Sequence, residues 1–168
     1  RAGSDPPWFV TTVRDVTERR RALVEQHRRE EEQAFLTEAS RVLMTSLELD
    51  APLDRFAQLA VPALADWCVV DLVRPDGTIR RAAARHAVET LSERIWEMSR
   101  LYPPGEGVDR AALTPDPTRE ATVLIEETTD EWLRRLGIRD GHVALLREIG
   151  LRSMLLVPMN VRGRTIGG

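Results

Sequence analysis

The spacing of apolar residues changes twice along the chain, and the first part is strongly polar. Trp8 to Arg14 is a short β-rich stretch that predicts one strand. Glu18 to Gln33 is helix-forming and densely charged, with Leu23 among its few apolar residues. That pattern is typical of a solvated connector helix or of one half of a weak coiled coil. Because neither Gly nor Pro occurs from Glu18 to Leu49, we expect one continuous helix over this length.

From residue 35 onward the apolar residues have the spacing of packed elements. Leu36 to Leu47 repeats at helical intervals and predicts a helix with one core-facing stripe. A second helix begins at Asp50, and Pro62 kinks or ends it. Trp67 to Val73 is an almost unbroken apolar run, which predicts a strand covered on both faces. Ile79 to His86 follows a Pro-Asp-Gly turn and predicts the hairpin partner of that strand.

The remaining sequence alternates between helices and strands. One further helix places four residues on a single face: Leu91, Ile95, Met98 and Tyr102. Thr128 and Glu131 form a capping box before another helix, and a last helix begins at Asp140 and ends at Gly150. Three more strands are predicted at Ala121–Ile125, Ser153–Asn160 and Arg164–Gly168. Together the strands predict one mainly antiparallel sheet, with the first two helices packed on one face, in an α+β fold.

Composition and charge fit one domain of ordinary size with an appendage. Of the 168 residues, 42% are hydrophobic and 30% charged, so we expect a packed core. The formal net charge is −3, and all 24 basic residues are Arg, which gives no indication of a nucleic-acid surface. No apolar stretch is long enough to span a membrane, and neither an initiator Met nor a signal region opens the chain. We therefore expect a cytoplasmic piece of a longer protein.

No set of residues predicts catalysis or metal binding. The three histidines have no carboxylate or cysteine at ligand spacing, and no serine lies on a nucleophile elbow. His27 lies in the charged helix and is interpreted as solvated. Cys68 lies in the apolar strand, so we expect a buried thiol with a raised pKa. His86 ends the second strand, where it either contacts a ligand, such as haem, or bonds to the backbone.

The N-terminal residues resemble the end of a PAS sensor domain. The resemblance rests on the stretch WFVTTVRDVTERRRA, which has a last strand, an exit motif and an Arg- and Glu-rich helix in the order of that family. The exit motif consists of Asp15, Val16 and Thr17. On this resemblance, residues 1–17 are the tail of a PAS domain and residues 18–34 are a signalling helix.

Residues 35–168 resemble a GAF domain, particularly those of actinobacterial multidomain signalling proteins. The resemblance rests on FLTEASRVLMTSL, LAVPALADWCVVDLV followed by PDG, YPP, and ALLREIGLRSMLLVPM followed by VRGRTIGG. It implies a six-stranded antiparallel sheet with the fifth strand beside the first. It also implies helices on one face and, on the other, a small-molecule pocket closed by Ala87–Thr129. The family pattern continues beyond Gly168, so we expect a domain truncated before its last strands and terminal helix.

The two resemblances imply a sensory or regulatory module that acts on an output domain such as a histidine kinase or a PPM-family phosphatase. They imply no enzyme activity in this segment and do not identify a cofactor. The pocket candidates are His86, Ile95, Met98 and Tyr102. The expected partners are a small-molecule ligand and a second copy of the chain, joined in a parallel homodimer through the signalling helix. Two alternatives stay open: a cyclic-nucleotide-binding domain and a purely dimerising domain without ligand. A GAF-fold redox enzyme is disfavoured by the single Cys68.

Overall fold

The computed structural model describes residues 15–44, 49–107 and 122–168 of the chain. The predicted strand at Trp8–Arg14, which carries part of the PAS resemblance, lies outside these residues. The fold is α+β, with a long N-terminal helix and an antiparallel sheet, as the sequence predicts. The chain divides into two compact units, residues 1–38 and 39–168.

Helix α1 (Thr17–Leu43) begins in the first unit. Its start is fixed by Asp15, whose carboxylate accepts a hydrogen bond of 2.9 Å from the backbone N–H of Thr17. Hydrogen bonds from Thr17 hold the pKa of Asp15 below its usual value. The helix ends at Leu43, which corrects the prediction of one helix as far as Leu49. A separate helix begins at Asp50, and Pro52 suits its first turn because a proline there gives up no hydrogen bond of the helix.

The described part of the second unit contains one compact succession of helices and strands. In chain order these are α2 (Asp50–Ala63), β1 (Trp67–Val73), β2 (Ile79–His86), α3 (Glu89–Leu101), β3 (Val123–Ile125), α4 (Asp130–Arg135), α5 (Asp140–Glu148), β4 (Met154–Leu156), β5 (Met159–Val161) and β6 (Arg164–Gly167). The predicted bounds of β1 and β2 are confirmed. Val61 has non-helical dihedral angles (φ −107°, ψ 124°), which confirms a kink beside Pro62.

The main sheet has four antiparallel strands in the order β2-β1-β6-β5. β6 lies beside β1, where Leu72 pairs with Gly167. Asp71 and Gly168 exchange two backbone hydrogen bonds of 2.8 and 2.9 Å at the same place. These bonds give β1 a partner strand on each side, so it lies inside the sheet.

Helices cover both faces of this sheet. Successive side chains of β1 point to opposite sides of the sheet, so alternate residues pack in different cores. Val70 and Leu72 pack with α2 residues such as Leu53 and Ala57. Trp67 and Val69 contact the larger core, which α3, α4 and α5 supply. Its buried members are Ala84, Ile95, Met98, Leu133, Val143, Leu146, Ile149 and Leu151. The prediction that β1 is covered on both sides is confirmed, and the face expected to hold a pocket closed by Ala87–Thr129 is covered by the packed larger core.

The strands form two sheets, so the prediction of one sheet was wrong. β3 pairs with β4 in a separate two-stranded sheet, and the predicted strand Ser153–Asn160 is divided between β4 and β5. The division falls at Val157 and Pro158. Because proline has no N–H to donate to a strand ladder, it interrupts regular pairing at this position.

The start of α4 also differs from the prediction. Thr129 is the N-cap, and its hydroxyl accepts a hydrogen bond of 3.1 Å from the N–H of Trp132. Thr128, the predicted cap, is instead buried. The end predicted at Gly150 is confirmed, since this residue follows α5 with φ of 84°, a conformation that glycine adopts at little cost.

Candidate functional site

One polar group of side chains near the larger core begins with an ion pair between β1 and β2. Asp71 lies opposite Arg81 in the register that the turn sets, and the register shift begins only beyond this pair, between Asp71 and Val70. The Arg81 guanidinium donates two hydrogen bonds to the carboxylate, Nε to Oδ1 at 2.9 Å and Nη2 to Oδ2 at 3.1 Å. Only 11% of the Arg81 side chain and 26% of the Asp71 side chain are exposed. The two hydrogen bonds therefore fix the relative orientation of the two side chains, and most of their surface is shielded from bulk solvent.

Arg81 also joins the sheet to α3. Its Nη1 donates to the hydroxyl of Ser99 at 2.7 Å, and that hydroxyl donates to the carbonyl of Ile95 at 2.8 Å. The Ser99 hydroxyl donates its proton to a backbone carbonyl, and no general base among the described residues accepts it. This geometry suits positioning and binding, and it does not form a nucleophile–base pair.

Two stacked rings lie between the end of α3 and the start of α5. The rings of Tyr102 and His142 have centroids 4.6 Å apart and planes 7° apart. Gly141 makes this approach feasible, because a Cβ at its position would lie 2.5 Å from the Tyr102 hydroxyl oxygen. Asp71, Arg81, Ser99, Tyr102 and His142 are called the α3–α5 cluster below.

The environment of His142 disfavours its protonated form. Half-burial of the ring lowers the pKa of His142 below the ordinary value, and the positive charge of Arg81 lowers it further. The ring is therefore held neutral at pH 7. One proton on this imidazole therefore decides whether the α3–α5 cluster carries a further positive charge.

Loss of Arg81 should destabilise the domain through the carboxylate left behind. We expect Arg81→Met to lower the free energy of unfolding by about 2–3 kcal/mol, because Asp71 becomes a shielded charge without its partner. The double variant Asp71→Leu/Arg81→Met should recover most of that loss. Urea denaturation of the three proteins measures both effects. A double variant no more stable than Arg81→Met would show that the ion pair is not the source of the effect.

Of the four predicted pocket residues, only Tyr102 belongs to the α3–α5 cluster. Ile95 and Met98 are buried in the larger core, with 0% and 4% of their surface exposed. His86 is engaged at both ring nitrogens: Nδ1 accepts from the N–H of Val88 at 2.8 Å. Nε2 then carries the proton and lies 3.2 Å from the carbonyl oxygen of Ile149. A ligand role for these residues stays a prediction.

His86 also borders an open cleft beside the kink in α2. The cleft has a volume of about 420 Å³ and is lined by Gln58, Val61, Pro62, Arg85, His86, Ala87 and Glu89. Arg85 donates to Asp54 on α2 at 2.8 Å. Its Nε is buried without a hydrogen-bond partner among the described residues. Arg85 also lies 4.0 Å from Glu89 of the same lining, and Gln58 donates to Asp54 at 2.9 Å.

The other residues singled out in the sequence have ordinary surroundings. Asp15, Val16 and Thr17 lie at the exposed start of α1. His27 is exposed and lies 3.2 Å from Glu31 on the same helix. Cys68 is half-buried, and burial raises the pKa of its thiol, as expected.

The sequence interpretation missed Asp71, Arg81, Ser99 and His142. One signal could have found the first two. Asp71 and Arg81 are each five residues from Asp76 in the turn, so a symmetric hairpin places them opposite each other. A charged residue in the middle of an apolar strand needs such a partner. No comparable signal connects Ser99 or His142 to them, because both contacts are tertiary.

Within residues 15–44, 49–107 and 122–168, no three His, Cys, Asp or Glu side chains lie close enough to hold a metal ion. Helices of sufficient length and apolarity to cross a membrane do not occur in the same ranges. Comparison of the chain with protein-family profiles, with curated proteins and with solved structures found no match.

Proposed function

We propose that the chain is a sensory and relay module of a multidomain signal-transduction protein, made of the end of a PAS domain, a signalling helix and a GAF domain. The GAF domain receives a small ligand or a conformational signal and passes it to an output domain such as a histidine kinase or a PPM-family phosphatase. The module works in the cytoplasm, where Cys68 stays reduced, and it performs no catalytic step of its own.

The pairing of the strands supports the GAF assignment. Counted from Trp67–Val73, the predicted strand Arg164–Gly168 is the fifth, and the resemblance implies that it lies beside the first. In the structure these two strands are β6 and β1, and they are neighbours in the main sheet. The fourth predicted strand, Ser153–Asn160, corresponds to β4 and β5. Its first half, β4, pairs with β3, and its second half, β5, pairs with β6. Although Pro158 divides that strand, its two halves keep the neighbours that an uninterrupted antiparallel sheet would give them.

The observation that carries the proposal is a set of exposed apolar side chains along α1 and directly at its two ends, with Glu30 and Thr37 at the heptad positions between Leu23 and Met44. Val16, Leu23 and Met44 are separated by multiples of seven residues. Leu36 and Leu43 are also seven residues apart and come one position earlier in the same repeat. All five side chains are exposed. A repeat of seven on a helix is the spacing that packs against a second helix, and these residues are called the α1 stripe below.

Several charged side chains of α1 pair with one another within the helix, and the α1 stripe is the apolar surface that a second helix can contact. Arg28 donates to Glu25 and to Glu32, and Arg29 donates to Glu25, at 2.8–3.3 Å. These bonds lie within one helix and are exposed, so each contributes little stability. An apolar stripe on an otherwise charged helix matches a second copy of itself. We therefore assign the module a parallel homodimer through α1.

Within this proposal, the ligand contacts belong to the α3–α5 cluster. Arg81, Tyr102 and His142 offer hydrogen-bond donors and an aromatic surface next to the sheet. Ile95 and Met98 support them from the core, since both are buried. A module that dimerises without a ligand is the second candidate, and it is favoured by the dense packing around these two side chains.

Cysteine cross-linking tests the homodimer. Cys68 is the single natural cysteine, so Cys68→Ala gives a background without thiols. In that background, Leu23→Cys should form a disulfide-linked dimer in high yield under mild oxidation, because a parallel pair brings the two copies of this residue together. The measurement is the dimer fraction on a non-reducing gel.

Arg21→Cys in the same background is the matched control. It lies two residues before Leu23, and residues two apart on a helix do not face the same side. It should give little dimer under the same oxidation. Equal yields at the two positions, or no disulfide at Leu23→Cys, would contradict a parallel pair that meets along the α1 stripe.

A further inference from the structure

The contact between the end of α3 and the start of α5 rests on a histidine that can gain a proton. Tyr102 directly follows α3, and its backbone N–H donates to the carbonyl of Met98 at 2.8 Å. His142 lies in the first turn of α5. The stacked rings, 4.6 Å apart, therefore connect the two helices at a point where neither side chain is fully exposed.

Three features of the fold oppose a positive charge on His142. The ring is half-buried, which removes part of the hydration that a charged imidazole needs. The first turn of a helix carries a partial positive charge from its free N–H groups. Arg81, a fixed cation of the same cluster, is close enough for its charge to lower the pKa of His142.

The charged groups around the ring do not offset these effects. Asp71 is occupied by the two hydrogen bonds from Arg81. Asp140 starts the same helix as His142, but its carboxylate is 81% exposed and accepts a hydrogen bond of 2.7 Å from Arg134 of α4. Arg100 on α3 is exposed. No carboxylate free of a partner is thus found beside His142 among the described residues of these elements.

We propose that the Tyr102–His142 stack is a proton-sensitive latch, closed when His142 is neutral and released when the ring is protonated. Protonation would place a positive charge in a half-buried position, within the electrostatic reach of Arg81 and in the first turn of α5. The relaxation that relieves this cost is exposure of the imidazolium to water, which requires separation of the two rings and movement of the end of α3 away from α5. The latch is a property of the fold and does not depend on the identity of any ligand.

The direction of the pH dependence follows from the lowered pKa. In the open arrangement, His142 titrates near the ordinary histidine value of about 6.5, whereas in the closed arrangement it binds a proton only at lower pH. The closed arrangement is therefore fully favoured above about pH 6.5, and this advantage is lost as the pH falls below that value. Acidification within the range of histidine titration opens the latch.

The test is a nuclear magnetic resonance titration of the whole chain from about pH 8 to about pH 5, the range in which histidine changes charge. It follows the His142 ring and the ring-current shift of the Tyr102 ring protons. We expect His142 to titrate below about 6.5 and the Tyr102 signals to lose their ring-current shift at the same midpoint. A His142 midpoint at or above that value, or an unchanged Tyr102 shift across it, overturns the proposal.

Two variants separate the latch from general effects of acid. His142→Phe keeps a flat ring for stacking and cannot be protonated, so the Tyr102 ring-current shift should persist throughout the same range. Loss of that shift in His142→Phe would assign the response to another group. Tyr102→Leu removes the stacking partner, and the His142 midpoint should then move up towards the ordinary histidine value; a midpoint that stays in place overturns the proposal.

Discussion

Replacement of Arg147 by Met is expected to lower the free energy of unfolding by about 3 kcal/mol, a large effect for a substitution that leaves the apolar core unchanged. Arg147 lies on α5, and its guanidinium donates to Asp130 Oδ1 at 2.7 Å and to Thr128 Oγ1 at 3.3 Å. It also donates to the backbone carbonyls of Thr128 and Leu151. One side chain therefore joins three segments of the chain.

The cost arises from the acceptors that Met would leave behind. Thr128 has 2% of its surface exposed and Leu151 has 4%, so water cannot readily replace the lost donors. A buried acceptor without a partner costs more than an average hydrogen bond contributes, because its desolvation is no longer offset. Met retains the aliphatic part of the Arg147 side chain, which restricts the loss to its hydrogen bonds.

The same substitution at Arg134 is the matched control. Arg134 is 54% exposed and pairs with Asp140, so Arg134→Met should change stability little. Arg147→Lys should recover only part of the loss, because an ammonium cannot reach all the acceptors that the planar guanidinium joins. Urea denaturation measures all three variants. If Arg147→Met lowers the free energy of unfolding no more than Arg134→Met does, the hydrogen bonds of Arg147 to buried acceptors do not stabilise the domain as proposed.

The elements with strong local patterns were predictable from the sequence. β1 and β2 have the predicted bounds, since an apolar run, a Pro-Asp-Gly turn and a second β-rich stretch act over short distances. The end of α5 at Gly150 is likewise local, because glycine supplies the left-handed backbone.

Where the prediction failed, a tertiary contact or a proline decided between local alternatives. Thr128 and Thr129 are both suitable N-caps by sequence, and the hydrogen bonds from Arg147 to Thr128 assign the cap to Thr129. The strand Ser153–Asn160 has a continuous β pattern, yet Pro158 divides it between two sheets. Neither outcome can be read from periodicity alone.

The site was less predictable than the fold for a related reason. The helix face of Ile95, Met98 and Tyr102 was correctly recognised as apolar, but the sequence cannot distinguish a core position from a pocket position on such a face. Ile95 and Met98 are in the core. His142 contacts Tyr102 from a helix 40 residues further along the chain, a contact that local pattern does not encode.

The relay proposal makes a second prediction with a large effect, on the rotational register of α1. Each inserted residue rotates the helix beyond it by about 100° relative to the part before it. One Ala inserted after Glu31 would therefore turn Leu36 and Leu43 away from the side on which Leu23 lies. Seven inserted residues add about two full turns and nearly restore the register. A relay through a packed helix pair depends on that register, whereas a simple tether does not.

The most direct measurement of the central claim is the output activity of the full-length signalling protein that the proposal implies, compared without an insertion, with one Ala after Glu31, and with residues 25–31 duplicated. The duplication adds one heptad and keeps the local composition of α1. We predict that the single insertion inverts or abolishes the response to the input signal and that the heptad insertion largely preserves it. Equal activity in all three proteins would contradict the relay and leave α1 as a tether.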